Sequence, residues 1–165
     1  MAALTTGVLA PDFRLPTIDG RQISLAEARK RGPVVLSFFK VSCPVCQYAF
    51  PLLERVHQLH KGGNVTFLGV SQNDRKDTNK FLREYGVTFP VALDDTAKYA
   101  VSNAYGLTNV PTVFYIAPEG EIEISSVGWT KADVEAIHRR LTEHRNHKPT
   151  PLWRKHEEIS DFRAG

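Results

Sequence analysis

The sequence predicts a single α/β domain with a mixed central sheet, helices on both faces and an amino-terminal β-hairpin extension. The chain has 165 residues and 42% hydrophobic content, which suits one domain with a substantial core. The apolar run PVVLSFF at residues 33–39 is typical of a strand that is covered on both faces. Strand-like and helix-like segments alternate after it, which indicates helices packed on a sheet.

The amino-terminal segment is predicted to be a hairpin followed by a short helix. Short alternating segments lie on each side of Asp19-Gly20, and this dipeptide favours a tight turn. Ser24 with Glu27 three residues later resembles a helix capping box.

The middle of the chain is predicted to continue as helix, strand and helix. Apolar residues recur at helical spacing up to Lys61, where Gly62-Gly63 closes the helix. The run VTFLGV at 65–70 predicts a second buried strand, and the next helix ends at Gly86.

The last third of the domain is predicted to contain a short helix, a hairpin and a final helix. The short helix covers about 96–105, and strands follow at 112–117 and 122–127. Because the loop between these strands is so short, they must be antiparallel. Thr130 with Asp133 is predicted to cap the final helix.

The pattern divides the chain into a domain over 1–144 and a carboxy-terminal tail over 145–165. The tail loses the helical periodicity and gains prolines, and Trp153 is its one obvious apolar anchor. We therefore expect a solvated extension rather than a docking element.

Charge and hydropathy argue against several partners. The formal net charge is only +3, and no polybasic strip suggests nucleic acid. No window approaches the length of a membrane span, and the amino terminus lacks the basic and apolar pattern of a secretory leader. The expectation is a monomeric cytoplasmic protein with no nucleic-acid or membrane partner, or an exported one if a leader has been removed.

The only two cysteines, Cys43 and Cys46, lie in SFFKVSCPVCQYAFP, where a strand passes into a helix. A bridge across two residues closes so small a loop that it adds little stability, so a purely structural disulfide is disfavoured. At a helix start the free amides and the helix dipole stabilise a thiolate at Cys43. Pro44 suits the first helical turn, and the i,i+3 spacing returns Cys46 to the same end. We interpret the pair as an exposed nucleophile and a less exposed resolving thiol.

A zinc site is the main alternative, because His57 and His60 follow the two cysteines. On one continuous helix His57 lies about eleven positions beyond Cys46, a rise of roughly 16 Å, which is too far for a shared ligand sphere. We interpret both histidines as solvated or capped surface residues and expect neither a metal nor an organic cofactor.

The motif Val110-Pro111-Thr112 precedes a predicted strand, where proline interrupts a regular entry into the sheet. A cis bond before Pro111 would leave the Val110 backbone free to pair with an extended substrate. From the residues alone an ordinary trans-proline turn is favoured over a cis bond.

Four stretches together carry a family resemblance. They are SFFKVSCPVCQYAFP, APDFRLPTIDGRQISL, FLGVSQNDRKDTNKFLREYGVTFPVALD and YGLTNVPTVFYIAPEGEI. The chain resembles the thioredoxin-like thiol-disulfide oxidoreductases of the TlpA/ResA type, within the larger group that also holds the peroxiredoxins. The resemblance implies a thioredoxin fold, a cis bond before Pro111, Cys43 as the attacking thiol, Cys46 as the resolving thiol, and Val110 with Pro111 as the substrate-binding loop. It also implies exchange with disulfides of proteins or small thiols, and a redox partner such as a reductase.

Three positions depart from the family pattern. Thioredoxins keep an acidic residue six positions before the first cysteine, where this chain has Ser37, and many ResA-like proteins keep a glutamate six positions after it, where this chain has Ala49. The tryptophan that often precedes the first cysteine is replaced by Ser42. The resemblance therefore carries over without the usual proton-relay carboxylates or aromatic cover.

Two other functions stay open. A peroxiredoxin-type thiol peroxidase would need a threonine or serine three positions before the cysteine and a proline seven before, and these positions hold Lys40 and Leu36. The second alternative is a non-enzymatic domain that only binds another protein.

Overall fold

The computed structural model describes residues 2–165, and a five-stranded sheet forms its centre. The strands are β1 (Arg14–Pro16), β2 (Gln22–Ser24), β3 (Val34–Phe39), β4 (Thr66–Ser71), β5 (Val91–Leu93), β6 (Thr112–Ile116), β7 (Ile122–Val127), β8 (Trp129–Thr130) and β9 (Phe162–Arg163). The helices are α1 (Leu25–Arg29), α2 (Pro44–Leu59), α3 (Arg75–Glu84), α4 (Ala100–Ala104) and α5 (Lys131–His144).

The sheet is mixed, and β3 is its central strand. The strand order is β5-β4-β3-β6-β7, with β3 parallel to β4 and antiparallel to β6. All six residues of β3 are buried, as the apolar run predicted. The antiparallel hairpin β1–β2 packs as a separate small sheet, and Ser24 Oγ accepts the Glu27 amide at 3.1 Å. The predicted fold class is confirmed, and Ser24 is the N-cap of α1 as predicted.

Helices cover both faces of the sheet, and the side chains of β3 alternate between the two apolar clusters that these helices form with it. Val35 and Phe39 point into a cluster that also holds residues of α2, α3 and α5. Leu36 and Phe38 point into a second cluster, which holds residues of α1, α4 and the hairpin. Each face therefore buries its own side-chain layer.

Two short elements differ from the prediction. Strand β5 was not predicted, because three residues after a proline give too little alternation to recognise. Helix α4 covers only five residues instead of the predicted ten. Tyr99 adopts a left-handed conformation with φ 49°, so the helix begins after it, where the Asp94 carboxylate accepts the Val101 and Ser102 amides at 3.2 and 2.8 Å.

The tail packs against the domain, so the expectation of a solvated extension is wrong. Arg55 of α2 forms a bidentate ion pair with Glu157, with N–O distances of 2.6 and 2.8 Å. The Trp153 ring lies 6.2 Å from the ring of Trp129, and its indole N–H donates to Glu135 of α5 at 2.9 Å. These contacts join residues that lie far apart in the sequence, which a local pattern cannot show. The division at residue 144 stays a prediction.

The tail also supplies a hydrogen-bond acceptor for the first residue of α5. Thr130 stands at the N-cap position but makes no capping hydrogen bond through its side chain, so its predicted role is wrong. Instead β8 pairs with β9 of the tail, and the Lys131 amide donates to the Asp161 carbonyl at 2.9 Å. A backbone carbonyl from the tail thus satisfies an amide that a side chain was expected to satisfy.

The prediction of surface histidines is wrong for His60, which is only 2% exposed and pairs with His138 of α5. His138 Nε2 lies 2.8 Å from the Thr150 carbonyl, His60 Nε2 lies 2.8 Å from His138 Nδ1, and Arg145 Nη1 lies 3.1 Å from His60 Nδ1. A carbonyl only accepts and a guanidinium only donates, so one assignment of the ring protons satisfies all three contacts. In this assignment His138 Nε2 donates to the Thr150 carbonyl, His60 Nε2 donates to His138 Nδ1, and His60 Nδ1 accepts from Arg145. Both rings are then neutral, and the pair links α2, α5 and the tail.

Acid is expected to destabilise this His60–His138 link. Burial, with the nearby His138, Arg145 and His147, lowers the pKa of His60 from 6.5 to about 4. Between those two pH values the unfolded chain therefore binds more protons than the folded chain. The contribution of His60 to the free energy of unfolding is fully present above about pH 6.5. It falls as the pH drops toward 4, by at most about 1.4 kcal/mol per pH unit. Urea midpoints at pH 7 and pH 5 measure the effect. The control variant His156→Gln, at an exposed site, should lose as much stability between pH 7 and pH 5 as the wild type, whereas His60→Gln should lose less. An equal loss in both variants would contradict this account.

Among residues 2–165, no helix is both long and apolar enough to cross a membrane. The same residues contain no group of three or more histidine, cysteine, aspartate or glutamate side chains arranged to hold a metal ion.

Candidate active site

Cys43 stands at the junction of β3 and α2. It is the N-cap residue of α2, with extended backbone angles, and Pro44 is the first helical residue. Its Sγ accepts the Cys46 amide at 3.2 Å, in the way that a capping oxygen would. The helix start therefore directs an amide N–H at this sulfur, as the sequence predicted.

Cys46 lies one turn into α2 and is fully buried, whereas Cys43 is half-buried. Both side chains are free thiols. Burial, together with the neighbouring Cys43 sulfur, raises the pKa of the Cys46 thiol far above its usual range. The predicted difference in exposure is confirmed: substrate can reach Cys43, while Cys46 can meet little besides Cys43.

The loop before β6 brings a backbone carbonyl to Cys43. The Val110–Pro111 bond is cis, as the resemblance implied. The Cys43 thiol lies 3.4 Å from the Val110 carbonyl oxygen and can donate to it. The register of β3 on β6, which pairs Phe38 with Thr112, places this loop beside the strand end that leads to Cys43. The structure thus brings together the four residues of the predicted site.

Hydrogen bonds hold the loop in place. Thr112 Oγ1 donates to the Asn109 carbonyl at 2.7 Å and so closes the loop across Val110. The Gly128 amide donates to the Pro111 carbonyl at 2.8 Å and connects the loop to the end of β7. The Val110 carbonyl is therefore positioned from both sides.

The two positions where relatives carry an acid are buried and neutral. Ser37 is 1% exposed and lies between Gly69 and Val113 in the sheet, and Ala49 is 1% exposed on α2. Among the described residues, the buried carboxylates are Glu54 and Asp94, and both accept hydrogen bonds from groups remote in sequence from the cysteines. The proton of Cys46 has no carboxylate acceptor at the positions that the family uses.

Two aromatic residues that the sequence did not single out pack in the same apolar cluster as the pair. Tyr48 of α2 and Trp129 of β8 belong to the same apolar cluster as both cysteines, and their rings lie 5.5 Å apart at 81°. Tyr48 comes one helical turn after Pro44, so its place near the helix start could have been predicted from spacing. Trp129 reaches the cluster through the sheet, and no local pattern indicates it.

Comparison with known proteins agrees with this geometry. The sequence profile of the AhpC/TSA family matches residues 6–125. Thiol-disulfide oxidoreductase ResA of Geobacillus thermodenitrificans is 32% identical over 135 residues, which cover 81% of this chain and 76% of that protein. ResA of Bacillus subtilis is 32% identical over 121 residues, covering 73% of this chain and 66% of that protein.

Solved structures with the same fold include two bacterial thiol-disulfide proteins. The thioredoxin domain of a thiol-disulfide oxidoreductase from Bacteroides vulgatus has a TM-score of 0.74 at 21% identity, covering 86% of this chain and 98% of that one. A thiol:disulfide interchange protein of the thioredoxin family from Chlorobium tepidum has a TM-score of 0.69 at 24% identity, covering 86% and 99%. At these identities the likeness shows the fold alone.

The comparisons favour disulfide exchange over the peroxidase and the purely protein-binding alternatives, since the curated relatives above are thiol-disulfide oxidoreductases. Lys40 and Leu36 still occupy the positions where a peroxidase needs a hydroxyl and a proline. The chain belongs to the AhpC/TSA family, and within it to the thioredoxin-fold thiol-disulfide oxidoreductases of the ResA type.

Proposed function

We propose that Cys43 and Cys46 form the redox couple of this oxidoreductase, with Cys43 as the attacking thiol. The observation that carries the proposal is the position of the Cys43 sulfur. It is half-exposed at the helix start, accepts the Cys46 amide and lies 3.4 Å from the Val110 carbonyl. A thiolate formed there is stabilised by the amide and is open to an incoming disulfide.

Exchange proceeds in two displacements. The Cys43 thiolate attacks one sulfur of the substrate disulfide, the substrate S–S bond breaks, and the second substrate sulfur leaves as a thiolate. A mixed disulfide joins Cys43 to the substrate. Cys46 then loses its proton, attacks the Cys43 sulfur and forms the internal disulfide, while the first substrate sulfur departs and takes up a proton. Two electrons pass from the dithiol to the substrate, and two thiols of a redox partner reverse the sequence and leave as a disulfide.

The second displacement depends on Cys46 becoming a thiolate. Its raised pKa keeps that fraction small at neutral pH, and positions 37 and 49 offer no carboxylate to receive the proton. The proton of Cys46 therefore passes to the departing substrate thiolate. Attack by Cys46 is the step that gains most from rising pH.

Loop residues 110 and 111 supply the substrate contact in this proposal. The Val110 backbone faces the attacking sulfur, so an extended polypeptide paired with it would carry its disulfide toward Cys43. Pro111 follows Val110 across the cis bond.

Turnover separates the candidate activities. Catalytic amounts of the protein with an excess of a thiol reductant are expected to reduce many equivalents of a disulfide, and to consume hydrogen peroxide no faster than the reductant alone. A parallel redox titration read by mass spectrometry should show Cys43 and Cys46 converting together by two hydrogens. Peroxide turnover with no disulfide turnover would favour the peroxidase, and turnover of neither would refute the redox couple.

A further inference from the structure

Residues 160–165 form a strap that lies beside the candidate active site. Strand β9 within it pairs antiparallel with β8, placing Trp129 opposite Arg163 and Thr130 opposite Phe162. Gly128 allows the close approach, since it has φ +77° and a Cβ there would overlap the Arg163 carbonyl oxygen. The strap therefore forms a separate two-stranded sheet with β8 next to Gly128, whose amide donates to the Pro111 carbonyl.

The far end of the strap reaches the proposed substrate contact. A Cβ added to Gly165 would overlap the Val110 carbonyl oxygen, so the two backbones are in contact. Asn109 Nδ2 donates to the Gly165 carbonyl at 3.1 Å. The carbonyl that faces Cys43 at 3.4 Å is thus also in contact with the strap.

The near end of the strap contacts Tyr48 of α2. The Ser160 amide donates to the Tyr48 hydroxyl oxygen at 3.0 Å. The Arg163 guanidinium lies 3.9 Å from the centre of the Tyr48 ring, which is a cation–π contact. The strap consequently spans from α2 to the Val110 loop, where the proposed function places the substrate backbone.

The strap buries little apolar surface. Residues 161–165 are all exposed, and Phe162, at 61% exposure, buries little apolar surface. Its ladder with β8 has two residue pairs. Segments with few buried apolar contacts open at low free-energy cost. A competing backbone can therefore displace the exposed residues 161–165 at low cost.

We propose that the strap is an internal competitor for the substrate surface. This inference rests on the proposed function. Polypeptide disulfides must displace the strap to pair with Val110, whereas a small disulfide can reach the half-exposed sulfur of Cys43 directly. The strap also defines the kind of partner that fits: an extended polypeptide that places an arginine or lysine over Tyr48.

The test compares two substrates with the chain of 165 residues. Arg163→Ala removes the contact with Tyr48, which is worth about 0.5–1 kcal/mol at an exposed site, so reduction of a disulfide-containing polypeptide should accelerate about twofold to fivefold. Reduction of hydroxyethyl disulfide should be unchanged. Arg163→Lys keeps a cation and should accelerate the polypeptide reaction less, and Lys155→Ala removes a tail cation away from the strap and should have no effect.

Hydrogen exchange measures release of the strap directly. The Lys131 amide donates to the Asp161 carbonyl, so its exchange should quicken in Arg163→Ala and stay unchanged in Lys155→Ala. A synthetic peptide of residues 158–165 should slow the polypeptide reaction of Arg163→Ala.

The outcomes separate the inference from the proposed function. If neither substrate reacts in any variant, the redox couple itself is refuted. If both substrates react but Arg163→Ala leaves their rates in the wild-type ratio, the strap does not compete and the inference is overturned while the function stands.

Discussion

Cys43→Ser is expected to reduce disulfide exchange to the uncatalysed rate, while Cys46→Ser is expected to leave a protein that attacks a disulfide and then stays joined to its substrate. Only Cys43 combines partial exposure with a place at the helix start. Cys46 is fully buried one turn away, so it can act on the mixed disulfide but cannot meet a substrate first. Non-reducing electrophoresis with mass spectrometry measures the trapped species.

The two cysteine variants control for each other, because both remove one thiol from the same helix turn. Single-turnover experiments with a disulfide polypeptide should give a stable adduct at Cys43 in Cys46→Ser and none in Cys43→Ser. Adducts that form through Cys46 in the Cys43→Ser protein would reverse the roles. Circular dichroism of both variants checks that the fold is retained.

Glu54→Ala is expected to cost about 2–4 kcal/mol of unfolding free energy. Glu54 is 8% exposed, and its carboxylate accepts the Thr88 amide at 2.8 Å, the Thr88 hydroxyl at 2.6 Å and Gln58 Nε2 at 2.6 Å. Burial raises the pKa of Glu54, but the hydrogen bonds from Gln58 and Thr88 outweigh it, so the pKa lies below its usual value. Alanine leaves these donors without their acceptor.

Urea denaturation measures this loss as a lower midpoint at an unchanged slope. Glu84→Ala, at an exposed site on α3, is the matched control and should cost less than about 0.5 kcal/mol. Thr88→Val alone and combined with Glu54→Ala gives the coupling between the two side chains. A cost below about 1 kcal/mol for Glu54→Ala would show that water replaces the carboxylate.

Local patterns predicted the parts of the fold that depend on neighbours in sequence. The apolar run of β3, the capping bond of Ser24 and the helix start at Cys43 each need only a few residues, and each is confirmed. The cis bond before Pro111 was predicted only through the family resemblance, because the residues alone favour an ordinary trans turn.

Features that join remote segments could not be predicted in this way. Glu54 looks like a solvent-facing residue of an amphipathic helix until the chain brings Thr88 to it, 34 residues later. His60 and His138 meet over a separation of 78 residues, and Arg55 meets Glu157 over 102. The residues next to a polar side chain in the sequence do not show which distant residue it will contact after folding. The docked tail and the strap were therefore not predicted.

Docking of the tail gives the protein an optical property of its own. The chain contains two tryptophans, Trp129 and Trp153, and both indoles contact or belong to the tail. Trp129 is 1% exposed and donates to the Ser160 carbonyl at 2.6 Å. Intrinsic emission therefore reports chiefly on the attachment of residues 145–165, while far-ultraviolet circular dichroism reports on the helices and the sheet. In a denaturation experiment the two curves separate wherever the tail leaves first, and a fluorescence midpoint taken alone then measures undocking rather than global unfolding.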